Sequence, residues 1–224
     1  TSIECGDDGF SAHETAECHI NGFTSIGNST GMCDIGSSET HYKNVFISGC
    51  TGHEIFFIGD APHSLKNVLV ESSAHSVFTV SQGAYADPNK PCQVTAKNVF
   101  ISRPPNLPGE VRVNQNCILE ATNCTFNGLN ITIVPSGSLN LTNSFVTGTD
   151  PKPNVVIFAQ ATWKGQSNHY NVKSLRVDQT FFAPETFTDF QTLTASELHS
   201  LWASNVPPAQ GIGADESELE KLRH

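Results

Sequence analysis

The chain has 224 residues, with 12 Lys plus Arg against 22 Asp plus Glu and a formal net charge of −10. That balance argues against nucleic acid and against an anionic membrane surface, since both are held by Lys and Arg facing phosphate. The length suits one large all-β unit or two small domains, and no apolar run reaches the roughly 18 residues of a membrane span.

Taken in order, the chain alternates two kinds of short apolar segment. Residues 9–13, 32–35, 55–58, 77–80, 111–113, 131–134 and 155–158 are rich in β-branched or aromatic side chains. They are bounded by Gly, Ser, Asn or Pro, which predicts strands. Between them runs a second segment with an asparagine ahead of an apolar stretch. Examples are His41-Tyr42-Lys43-Asn44-Val45-Phe46-Ile47, Ser64-Leu65-Lys66-Asn67-Val68-Leu69-Val70 and Thr95-Ala96-Lys97-Asn98-Val99-Phe100-Ile101. The recurring asparagines are Asn21, Asn44, Asn67, Asn98, Asn123 and Asn143, at a period of roughly 20–31 residues that marks a stacked repeat. Asparagine tolerates the left-handed backbone of a tight bend, and its amide can bond the copy stacked on it. These features predict an all-β fold: a right-handed parallel β-helix of about seven coils, with a short helical C-terminal cap.

Two insertions interrupt the repeat, at residues 81–91 and 103–109, and His169-Tyr170-Asn171-Val172 reads as a last, weaker rung. The pattern stops near Phe181. Residues 194–202 predict one short helix with Thr194 or Ser196 near its N-cap, and residues 215–222 a second. The expected organisation is therefore a β-helix over residues 1–182 and a capping extension over 183–224. Since the first residues fall at once into a coil, the β-helix reads as the C-terminal part of a longer solenoid, or one whose first coil is covered by an upstream domain or chain.

Seven cysteines occur without a C-x-x-C pair, which argues against a zinc ribbon. Cys92 and Cys117 lie at the same distance before a ladder asparagine, so they should be neighbours on adjacent strands. Stacked free thiols and a disulfide both fit that arrangement.

Residues that suit chemistry crowd the first coils. Residues 1–60 hold nine carboxylates (Glu4, Asp7, Asp8, Glu14, Glu17, Asp34, Glu39, Glu54 and Asp60), four histidines and a single basic residue, Lys43. Counting back from the asparagines puts Asp7 level with His53, Asp8 level with Glu54, and Glu14 level with Asp60. Asp34 falls on the coil between. Two coils stack about 10 Å apart, so Asp8 and Glu54 would flank a sugar at a spacing near that used for inverting glycoside hydrolysis. The expected catalytic set is Asp7, Asp8, His53, Glu54 and His13, with Glu14, Asp34, Asp60 and Arg112 as substrate-binding residues. The same carboxylates would also suit Ca²⁺. Surface turns and edges use these residue types as well, and that bland reading stands beside the catalytic one.

The coil pattern with its asparagine ladder resembles the pectate lyase-like β-helix superfamily of carbohydrate-active proteins over roughly residues 1–180. Within it, Gly6-Asp7-Asp8-Gly9 and Gly52-His53-Glu54-Ile55-Phe56-Phe57-Ile58-Gly59 resemble two segments of polygalacturonases. There the paired aspartates do acid/base work and the histidine lies close by. Here Glu54 stands in place of a glycine, and the two segments are two coils apart. The resemblance implies a secreted, extracellular or periplasmic enzyme that cleaves a polysaccharide or oligosaccharide in a groove along the β-helix, as a hydrolase more than a lyase. The alternative is a non-catalytic glycan-binding or structural β-helix, such as an adhesin, tailspike or stalk segment.

Overall fold

The computed structural model describes residues 1–84, 86–104, 107, 109–148, 154–203 and 210–223. Its strands form a parallel β-solenoid of about seven turns. One sheet stacks Glu17–Ile26, Glu39–Ser48, Pro62–Glu71 and Cys92–Ser102. Further along, each long strand is split in two, as in Cys117–Thr122 with Thr125–Asn127 and Ser138–Thr142 with Phe145–Thr147. The second sheet stacks Ser11–Ala12, Thr30–Gly36, His53–Gly59, Ser76–Ser81, Glu110–Val113, Asn130–Ile133, Val155–Ile157 and Leu175–Val177. The first seven coincide with the second strands expected from the sequence, and Leu175–Val177 adds one that was not expected.

The bend inside each rung of the first sheet is the asparagine. Asn44, Asn67, Asn98, Asn123 and Asn143 have φ of 57°, 54°, 55°, 52° and 49°. That region strains most side chains, and Asn is among the few that visit it routinely. In four places along the stack a carboxamide nitrogen donates to the oxygen of the turn before, while Asn98 Oδ1 instead accepts from Asp215 N–H. The distances are 2.8 Å from Asn44 to Asn21, 3.0 Å from Asn67 to Asn44, 3.0 Å from Asn98 to Asn67 and 2.8 Å from Asn143 to Asn123. The first rung departs from the sequence register. Asn21 lies level with Lys43, and Gly22, at φ 76°, makes the bend. Asn21 still ends the ladder because its side-chain oxygen reaches Asn44. At the expected weak rung, Ser167 takes the bend at φ 56°.

Register then stacks like on like inside the coil. Ile47, Val70, Ile101, Phe126, Val146, Tyr170 and Trp202 form one interior column. All are buried, and burial at about 25 cal/mol per Å² of apolar surface is the main force holding rung on rung. Cys117 pairs in register with Cys92, as expected, and all seven cysteines are free thiols, so the disulfide alternative is not formed. The Cys92 thiol is pushed up by its hydrogen bond with Cys117 and by burial.

The C-terminal segment corrects one expectation. The first helix is Phe187–Thr194, not 194–202, and it ends at Ala195 in the left-handed conformation. Pro184 opens the preceding 3-10 turn, and Phe187 and Phe190 pack against Tyr170 and Trp163. Residues assigned to the helix from sequence instead continue the solenoid: Leu201–Trp202 pairs in parallel with His169 and Tyr170. Buried Glu197 accepts from Trp163 Nε1 (2.7 Å), Tyr170 Oη (2.8 Å), Asn168 Nδ2 (3.2 Å) and Ser200 Oγ (2.5 Å). Only a glycine leaves room beneath it, since a Cβ on Gly165 would lie 1.6 Å from Glu197 Oε1. The second helix, Glu216–Leu219, matches its prediction, with Asp215 capping it through Glu218 N–H at 3.1 Å.

The ladder's two components are separable by mutation. Asn67→Gly keeps the backbone bend and loses the amide bonds, whereas Asn67→Ala loses the bonds and adds left-handed strain. Asn67→Ala is expected to cost about 1 kcal/mol more than Asn67→Gly in urea unfolding, despite the greater flexibility of the glycine chain when unfolded.

Candidate functional site

The outward face of the second sheet gathers most of the chemistry expected from sequence. Asp8 bridges Thr30, Thr30 pairs with His53, His53 with Ser76, and Ser76 with Glu110. Asp8 is therefore level with His53, not with Glu54, and the two stand two rungs apart, at about 10 Å. Beside this column runs a second one, Ser11, Cys33, Phe56, Thr79 and Arg112. The His53 ring stacks on Phe56 at 4.3 Å, and burial against it lowers the His53 pKa, leaving the imidazole neutral at pH 7. Asp7 is exposed and Asp8 half-exposed. Cys33 sits below them, its thiol pushed up to about 12 by burial and then by Asp8 and Asp34, so it is protonated and no nucleophile. His13 is exposed, with Nε2 2.8 Å from Ser11 Oγ. Arg112 closes the far end, donating to Asn114 Oδ1 (2.9 Å) and lying 3.5 Å from Glu110.

Four residues of the expected set do not join this face. Glu54 is fully buried: its Oε1 accepts the backbone N–H groups of Ser73 (3.0 Å) and Ala74 (3.5 Å). On the other side of the same bend, buried Arg103 donates to Ser73 O (3.1 Å) and Leu107 O (3.1 Å). Glu54 and Arg103 thus pin the corner at 72–74 from two directions, which is a structural task. Asp60 accepts from Ser37 Oγ and from Asp87 N–H, both at 2.7 Å, and the Asp87 bond leads in lowering its pKa. It anchors the inserted loop. Glu14 turns the chain at φ 63°, with its backbone against Gly36.

Asp34 is the fourth, and is as fully enclosed as Glu54. It occupies an interior column otherwise made of Ala12, Phe57, Val80, Val113, Ile133 and Ile157. Its carboxylate is satisfied by Ala12 N–H (3.3 Å), Tyr42 Oη (2.8 Å) and Thr40 Oγ1 (2.6 Å), while burial raises its pKa. Thr40 Oγ1 also lies 2.7 Å from His63 Nδ1, and the His63 ring stacks on Phe57 at 4.4 Å. With Thr40 donating to Asp34, His63 must donate from Nδ1, which leaves Nε2 as a buried acceptor without a partner. Sequence reasoning missed this cluster. The available signal was parity: Cys18, Thr40, His63, Val94 and Leu119 share one inward column.

Among the described residues, no group of three or more His, Cys, Asp or Glu side chains is arranged to hold a metal ion. The chain matches no family model, no curated protein and no solved structure. Its function has to be argued from this geometry.

Burial holds the His63 pKa down to about 4, against an ordinary 6.5. The folded state favours the neutral ring, so the associated stability is present above pH 6.5 and is lost as pH falls through 6.5 toward 4. Over that window the loss is about 3 kcal/mol. The facing groups are Asp34, Thr40 and His41, and Asp34, with its raised pKa, takes up a proton in the same direction without adding to the loss. Unfolding midpoints of His63→Gln measured from pH 7 to pH 4 should fall less steeply than those of the parent chain. His53 and His169, whose pKa values are also lowered by burial, supply the slope that remains.

Proposed function

We propose that this chain acts on a polysaccharide lying along the outward face of its second sheet, as a hydrolase of the pectate lyase-like kind. The observation that supports this most is the shared face: exposed Asp7 and half-exposed Asp8 lie two rungs from the half-buried ring pair of His53 and Phe56. Asp7 and Asp8 divide the proton-donating and water-activating roles that hydrolysis of a glycosidic bond requires. Neutral His53 hydrogen-bonds sugar hydroxyls while Phe56 offers a ring face beside it. His13 stands at the same edge, and Arg112 is the cation within reach of an acidic sugar further along. Glu54 and Asp34 take no part, because neither can meet substrate without unfolding its corner.

The second reading, a glycan-binding or structural solenoid without catalysis, is favoured by that same enclosure. It removes two of the carboxylates on which the hydrolase reading first drew. Reducing ends and the ultraviolet absorbance of unsaturated uronates separate the cases over a panel of acidic and neutral polysaccharides, with Ca²⁺ and with EDTA. The hydrolase reading expects new reducing ends without new absorbance, and Asp7→Asn and Asp8→Asn should each lower kcat by about a hundredfold or more. Glu54→Gln should lower thermal stability and leave kcat of the folded fraction unchanged. New absorbance would mean elimination, and silence over the whole panel would leave binding or structure.

A further inference from the structure

A different face carries a second set of groups that the proposed hydrolysis does not use. Lys43, Lys66 and Lys97 stand in direct register on three successive rungs of the first sheet, each one residue before a ladder asparagine. All three are exposed. Like charges in direct register repel across neighbouring strands, so this column works against the stack that holds it. Lys43 is also the one basic residue among the first sixty, which hold nine carboxylates. Among the described residues, none of the three lysines forms an ion pair.

The lysines line one side of a groove of about 920 Å³ that also takes in Asn67 and Asn98 and, from the turn at 210–218, the acidic residues Asp215, Glu216 and Glu218. The groove already holds a carboxylate on its asparagines. Glu218 of the same chain accepts from Asn67 Nδ2 and from Asn98 Nδ2, both at 3.2 Å. The ladder amides left over from stacking are thus turned toward an anion, and three unpaired ammonium groups stand next to them.

We propose that this groove binds a polyanionic glycan, running along the solenoid axis with its carboxylate or sulfate groups on Lys43, Lys66 and Lys97. Ammonium groups spaced at the rung repeat suit charges repeated along a linear polymer.

Binding of plain dextran, carboxymethyl dextran and dextran sulfate to the whole chain tests this, since the three probes share one backbone. At least one charged dextran should bind, plain dextran should not, and added salt should weaken the complex. The K43Q/K66Q/K97Q variant should bind about tenfold more weakly, at an unfolding temperature no lower than the parent's, since the like-charge repulsion is removed. The K90Q/K164Q/K173Q variant, with the same change in net charge, should bind as the parent does. Carboxymethyl dextran against dextran sulfate tells a carboxylated ligand from a sulfated one. The proposal fails if neither charged dextran binds, if plain dextran binds equally, or if both triple variants lose the same affinity. Tighter binding of single-stranded polyuridylate than of either charged dextran would also overturn it, by assigning the groove to nucleic acid.

Discussion

The asparagine bend is the constraint on which the remaining structure depends. A parallel solenoid must turn at the same place in every coil, or its interior columns fall out of register and apolar side chains meet polar ones. Asn meets both needs at once, because it accepts a positive φ and carries a donor and an acceptor along the stacking direction. Where the bend is made by Gly22 or Ser167 the backbone still turns, but that residue adds no carboxamide to the ladder. Those substitutions fall at the two ends of the stack. In the middle, Asn44, Asn67 and Asn98 are joined without a gap.

Fixed register explains why buried charge is tolerated here. Strand register carries Asp34 into an interior column, while Glu54 is buried beside Ile55 and Glu197 is enclosed off the strands, at the C-terminal turn. Asp34, Glu54 and Glu197 are all fully enclosed. Each is offset by neighbours that donate to it: Tyr42 and Thr40 around Asp34, the backbone at 73–74 for Glu54, and Trp163, Tyr170 and Ser200 around Glu197. An unpaired carboxylate in such a place would cost several kcal/mol, on the order of the chain's whole stability margin. These acids hold corners and ends together, and that use competes with catalysis for the same residue type.

The same physics sets what was legible in the sequence. Repeat, strands, ladder and the stacked pair Cys92 and Cys117 could be read, since each depends on spacing alone. Asp8 was matched to Glu54 because counting from Asn21 runs one residue out of step with a bend that Gly22 makes. A single-residue slip in a strand reverses which face every side chain takes. That error put Glu54 in a groove when it belongs inside the coil. The helix at residues 187–194 was displaced for another reason. Its apolar face is set by Phe187 and Phe190 meeting Trp163 and Tyr170, long-range contacts that local patterning does not contain.

The two outward faces differ in what they can do. On the second sheet, Asp7, Asp8 and His53 bring groups that exchange protons, set beside an aromatic ring. On the first, Lys43, Lys66 and Lys97 bring a column of positive charge. On the proposed binding, a polymer along the lysine column would be held by charge at intervals fixed by the rungs. The aspartate and histidine face lacks such periodic anchors beyond Arg112, and suits a local event at one bond. Both faces run parallel to the same axis because the solenoid offers every outward column that direction. A fold that repeats one coil thereby presents two long, chemically distinct tracks, and the difference between them lies in which residue the repeat leaves exposed on each rung.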